Sequence, residues 1–167
     1  MACLGDLPMP DVAIFADPGW ESKVTYRYAK MFIPWAKERG LEIITVSKGN
    51  IRADAVSSQN RFASLPFHTL MDGKPGMLRR QCTKEYKIQP VIQATRRFLK
   101  VGKGERVKKH QAVTMWLGIS LDEALRMKPS RLPWITNAWP LIEKKMSRGD
   151  CLAYLKRNGI PQPEKSS

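Results

Sequence analysis

Residues 76–92 (GMLRRQCTKEYKIQPVI) place Arg79 and Arg80 just ahead of a lone Cys82, with Lys84, Tyr86, Lys87 and Pro90 following. Cations beside a helix start suit an anion: the helix offers oriented N–H groups and a partial positive charge, and arginine adds forked donors. Lys87 belongs to the same cluster. The surrounding Arg79, Arg80, Lys84 and Lys87 would favour the thiolate of Cys82, a candidate nucleophile or redox thiol. A lone cysteine with no histidine or second cysteine nearby fits plain packing as well.

Two other stretches carry chemistry-bearing residues. In Asp17-Pro18-Gly19-Trp20-Glu21, Asp17 or Glu21 would meet a nucleotide's sugar or a metal–phosphate, and Trp20 would pack on a base. The same five residues also suit a turn with a helix cap, whose acids complement the helix dipole. Downstream, Arg126, Lys128, Ser130 and Arg131 suit a phosphate or sulfate oxygen, or form a solvated basic face. Gly118 would let a ring approach the backbone, or would serve strand–helix packing.

These segments must be positioned by alternating strands and helices. Val12–Phe15 is a short apolar run ending in Ala-Asp-Pro-Gly, as a buried parallel strand does. Val24, Tyr28, Met31, Phe32 and Trp35 then make one apolar helical face, with Pro34 expected to bend that helix or end it early, and Gly40 closing it. Leu41–Val46 is a second strand, completing a βαβ unit. Residues 50–78 read as a long loop or lid with one short helix. Ile88, Val91, Ile92, Thr95, Phe98 and Leu99 mark a core-facing helix with Pro90 in its first turn. Lys100–His110 (KVGKGERVKKH) is a basic, exposed connector. Val113–Ile119 is a third strand, and Ser120-x-x-Glu123 a capping box. A Pro- and Trp-rich loop (Pro133, Trp134, Trp139, Pro140) follows, then a last helix opened by Ser147-x-x-Asp150 and closed by Asn158-Gly159. Trp134 and Trp139 are expected as core or loop anchors, and Cys151 as a packed thiol. The expectation is one domain over residues 1–167, with a flexible tail from 160 to 167.

Composition narrows the function classes. The chain has 167 residues, 43% of them hydrophobic, and carries a net charge of +14. From Arg79 to Arg131, fourteen Lys/Arg stand against four acids. Such a field attracts polyanions, with nucleic acid first, then a nucleotide or an acidic protein surface. No apolar run of the ~18 residues a bilayer span needs occurs, and no secretion signal is seen. Three widely spaced cysteines (Cys3, Cys82, Cys151) argue against a disulfide framework and for a reducing, cytoplasmic setting. No C-x-x-C occurs and His68 and His110 lack ligand-like neighbours, so no metal site is expected.

Taken in order, IFADPGWES, GNIRADAVSS, GMLRRQCTKEYKIQPV, WLGISLDEALRMKPSR and PLIEKKMSRGDCLAYLKRNGIPQP resemble the phosphoadenosine-phosphosulfate (PAPS) reductase family of the adenine-nucleotide alpha-hydrolase superfamily, in particular its phage and bacterial members. The resemblance implies an α/β fold, a three-layer parallel-sheet sandwich holding an adenine nucleotide (ATP or PAPS) at the strand edge. Members of that family open with a strand and an S-G-G-x-D-S pyrophosphate loop, and reductases proper use a C-terminal cysteine. Neither feature stands in this sequence. The chain therefore reads as incomplete at the pyrophosphate-loop strand and trimmed at both ends. Loss of even one oxyanion-type donor commonly costs about 100-fold in rate. The expectation is a protein inactive alone that binds a phosphate-bearing ligand, a nucleoprotein or a host protein, with phage–host conflict as one setting. Two alternatives stay open: a catalytic ATP-pyrophosphatase, sulfonucleotide-reductase or nucleic-acid sulfur-modification fragment, and a plain nucleic-acid-binding module.

Overall fold

The computed structural model describes residues 1–57, 68–71, 74–77 and 83–163. The chain divides into two compact units, Met1–Phe98 and Leu99–Ser167. Each contains one two-stranded parallel ladder, giving a mixed α/β protein.

In the first unit, β1 (Ala13–Asp17) leads through α1 (Lys23–Lys37) to β2 (Ile43–Ser47). The strands pair in parallel from Ala13↔Ile43 to Asp17↔Ser47, so both end at the same level. Ser22 caps α1 by accepting the Thr25 N–H at 3.2 Å. Tyr28, Phe32 and Trp35 stack along one face, with centroids 5.7 and 5.2 Å apart, and the Arg39 guanidinium covers Trp35 at 4.2 Å. Pro34 does not end the helix early: α1 runs three residues past it to Lys37. A proline removes only the one N–H directed back a turn, and near a helix end little ladder remains to lose. Termination falls to Gly40, in the left-handed region at φ 85°, with Leu41 N–H donating to Ala36 O at 3.0 Å.

After β2 comes α2 (Ile51–Val56), then a hairpin of β3 (His68–Met71) and β4 (Lys74–Met77). The stretch expected as a long loop with one short helix thus also holds an antiparallel pair. A π-helical segment, Thr83–Ile88, feeds into α3 (Gln89–Phe98), where Pro90 is buried in the opening turn. The core of this unit includes Ala36, Leu41, Ile51, Tyr86 and Ala94.

In the second unit, β5 (Val113–Trp116) pairs in parallel with β6 (Ile135–Ala138), from Val113↔Ile135 to Trp116↔Ala138. The strand is shorter than the expected 113–119, and its partner lies inside the stretch read as a Pro/Trp loop. Ser120 forms no capping box. Its hydroxyl donates to Asp122 at 3.3 Å, while Asp122 accepts the Arg148 N–H, and residues 121–126 make kinked 3₁₀ turns rather than an α-helix. A short α4 (Pro140–Glu143) precedes α5 (Arg148–Arg157), whose capping box is complete: Ser147 Oγ accepts Asp150 N–H at 3.2 Å, and Asp150 accepts Ser147 N–H at 2.8 Å. Val101, Val107, Ile135, Tyr154 and Ile160 are buried here. No helix among the described residues is long and apolar enough to cross a membrane.

Candidate functional site

Ligands of open α/β sheets gather at the carboxyl ends of the strands. At that edge of the β1–β2 ladder the chain is knitted by side chains. Asp17 Oδ1 accepts both the Gly19 N–H at 2.8 Å and the Tyr26 hydroxyl at 2.7 Å. Asn50 donates from Nδ2 to Gly19 O at 2.9 Å, while its Oδ1 caps α2 by accepting Arg52 and Ala53 N–H at 2.9 and 3.0 Å. Ile51 N–H donates to the carbonyl of the buried Pro18 at 2.9 Å. The loops after both strands are therefore locked together. Gly19 is required there: its φ is +71°, and a Cβ would lie 2.8 Å from Asn50 Cα and from Gly49 O.

Around this frame, acids and cations pair off. Lys87 Nζ reaches Glu21 Oε1 at 2.7 Å, and Lys48 Nζ lies 3.5 Å from Glu85 Oε2 and 5.5 Å from the Tyr86 ring centre. Tyr86, 4% exposed, donates to Asp54 Oδ2 at 2.5 Å. Burial, then that hydrogen bond, pushes its phenol up to about 12. Burial first, and donation to Asp17 second, likewise raise Tyr26. Glu85, Tyr86 and Lys87 all sit on the π-helical segment, a wide turn frequent at functional sites. Trp20 stands 50% exposed with the Arg52 guanidinium 5.7 Å over its ring. A cavity of about 80 Å³ lined by Ser47, Lys48, Gln89, Pro90 and Gln93 lies where β2 ends. Ligand pockets usually exceed roughly 300 Å³, so a nucleoside would rest on the open edge, not inside.

The second unit presents a different edge. Gly118, just past β5, has ordinary backbone, and nothing lies within 4 Å of the point a Cβ would occupy, so no close approach forces glycine there. Arg126 is ion-paired with Glu123. Ser130 closes its own turn, accepting Leu132 N–H at 3.0 Å. Arg131 and Lys128 are exposed. Burial, followed by the charges of Asp150 and Asp122, raises the half-buried Cys151 thiol, which suits a packed rather than reactive cysteine.

Of the residues singled out by sequence, Asp17, Trp20, Glu21 and Lys87 are brought together at one edge. Gly118, Arg126, Ser130 and Arg131 belong to the other unit. Arg79, Arg80 and Cys82 lie outside the described residues. Sequence reasoning missed Tyr26, Lys48, Asn50, Arg52, Asp54 and Tyr86. Asn50 directly before an apolar run is an N-cap signal that marks one of them; Tyr26 and Tyr86 carry no local signature. Among the described residues no group of three or more His, Cys, Asp or Glu could hold a metal ion. Family models, curated proteins and solved structures yield no match to this chain.

Proposed function

We propose that this chain is a PAPS-reductase-like protein of the adenine-nucleotide alpha-hydrolase type that acts by binding, taking a phosphate-bearing adenine nucleotide at the carboxyl edge of the β1–β2 ladder. The three-layer parallel sandwich implied by the resemblance is part of this proposal. One observation carries it: a half-exposed indole, Trp20, lies under the Arg52 guanidinium at an edge that also holds Lys48 and Lys87. A base stacks on an exposed aromatic face, and the exposed Arg52 guanidinium, which has no ion pair among the described residues, meets a phosphate. Binding rather than turnover is supported by the carboxylates. Asp17, Glu21, Asp54 and Glu85 are each engaged by a hydroxyl, an amide or an ammonium group, which leaves none poised as a general base.

Calorimetric titration with ATP, AMP and PAPS tests the reading. Saturable binding is expected, and Trp20→Ala weakens it by about fivefold or more, since stacking contributes ~1–3 kcal/mol per base. Far-ultraviolet circular dichroism of the variant checks that the fold survives the loss of the half-exposed ring. Absence of saturable binding, indifference to Trp20→Ala, or pyrophosphate or sulfite release at ordinary enzymic rates would each refute it.

A further inference from the structure

Residues 99–111 of the second unit are built as a closed loop. Gln111 ties both ends: its Nε2 donates to Leu99 O at 3.2 Å and its Oε1 accepts Lys108 N–H at 3.0 Å. Val101 and Val107 are each 8% exposed and act as plugs. Between them Gly102 N–H donates to Glu105 Oε2 at 2.7 Å, and Gly104 turns the chain at φ 86°. The arrangement is a compact loop packed by its own side chains.

What the loop presents is one-sided. Lys100, Lys103, Arg106, Lys108 and Lys109 are all exposed, and no ion pair holds any of them among the described residues. Glu105, the loop's lone acid, bends back to the backbone. Like charges this dense repel unless an external anion compensates them. By contrast, Lys48, Lys87 and Arg126 all have carboxylate partners.

We propose that this loop docks on the phosphate backbone of nucleic acid without regard to base sequence. The chemistry selects that partner over two others. None of the large exposed apolar residues falls within 99–111, so the loop lacks both the aromatic anchor of a protein interface and the apolar wedge of a membrane-surface segment. Lysines and an arginine on a glycine-turned loop position phosphates and read no base edge. Such docking is independent of the nucleotide edge in the first unit.

The test compares two triple variants of equal charge change. One is Lys103→Ala, Arg106→Ala, Lys109→Ala in the loop; the other is Lys23→Ala, Lys30→Ala, Lys37→Ala on α1. Binding to a fluorescein-labelled DNA duplex of random sequence is followed by anisotropy across a salt series. The loop triple should weaken affinity more than about tenfold at roughly 0.1 M salt and flatten the log–log salt slope by about 2–3, at ~0.9 per lost phosphate contact. The α1 triple should change affinity less than about threefold. Equal losses in both triples, no duplex binding by the unaltered chain, or loop-dependent binding to phosphatidylserine vesicles but not to duplex would overturn the proposal. Should thermal unfolding show the alanine triple misfolded, the glutamine triple at the same three positions decides by the same criteria.

Discussion

The two parallel ladders share a plan and differ in what they do at their carboxyl ends. In each, residues pair one for one and the strands finish level. Past β1 and β2, however, the loops are held against each other by side chains, with Asp17 and Asn50 as the ties. Past β5 and β6, the acids serve helix starts instead: Asp122 accepts from Arg148 N–H and Asp150 from Ser147. Both edges are tied: at the first the two loops meet directly after their strands, while at the second residues 121–122 reach across to Met146 and Arg148 at the opening of α5. Bracing suits a site that must present an aromatic face and cations in fixed relation.

The difference is broken most severely at Gly19. Alanine there meets backbone at 2.8 Å on two sides and a positive φ. A loss of about 2–3 kcal/mol in denaturant unfolding is expected, from the left-handed backbone and the forced displacement of Gly49–Asn50. An unchanged midpoint would mean that the two loops are not packed together. Next in size is Asp17→Ala, which strips the shared acceptor from the Gly19 amide and the Tyr26 hydroxyl. It should cost about 1–2 kcal/mol and weaken nucleotide binding in parallel. Asp17→Asn, which keeps a carbonyl oxygen, should recover most of that.

The second edge should give way more gently and locally. Ser147→Ala removes one cap, and about 1 kcal/mol of unfolding free energy should go with it, leaving nucleotide affinity untouched. Its partner also has a pH signature. Hydrogen bonds from the Ser147 side chain and then its backbone hold the Asp150 carboxyl below its ordinary 3.8, against a smaller opposing effect of desolvation. Because the folded value is the lower one, that stabilisation is in place above the unfolded value and is lost as pH falls through the folded one. Asp150→Asn should flatten the acid limb of a midpoint-against-pH plot.

The first edge answers on the alkaline side, with the smallest change near neutrality. Tyr86 holds its proton to about 12 in the folded chain, against 10.0 when unfolded. The unfolded chain ionises first, so the Tyr86 contribution is full below the unfolded value and declines as pH rises from there towards the folded one. Tyr86→Phe should shrink this decline, leaving the share that the raised Tyr26 and Tyr28 phenols contribute, and should remove one late-titrating phenol from the ultraviolet absorbance. A decline of undiminished size in the Phe variant would locate the titrating group elsewhere.

Much of this organisation is legible in the chain. The first βαβ unit is announced by Val12–Phe15, the stacked-face spacing of α1, Gly40 and Leu41–Val46, because all of it rests on local periodicity and a glycine stop. The Ser147–Asp150 box is equally local. β6 is not. Ile135-Thr136-Asn137-Ala138 is short, flanked by Trp and Pro, and becomes a strand only because Val113–Trp116 lies alongside it. The β3–β4 hairpin did have a signal, Asp72-Gly73 between two runs, which the neighbouring Lys74-Pro75-Gly76 disguised as loop. Ser120 carries a correct capping pattern that fails because Asp122 is drawn to the start of α5. At the candidate site, Asp17, Trp20, Glu21 and Lys87 were readable from residue type. Their braces, Tyr26, Asn50 and Tyr86, act over sequence distances of 9 to 32 residues, where periodicity carries no information.

The double use of Asn50 gives that residue two duties that a change of side chain can separate. Its amide nitrogen fastens the first loop and its amide oxygen starts α2. Asn50→Asp would preserve the second duty, since aspartate caps helices as well, while turning the first from attraction into repulsion against the Gly19 carbonyl. The helix would survive and the fastening would not.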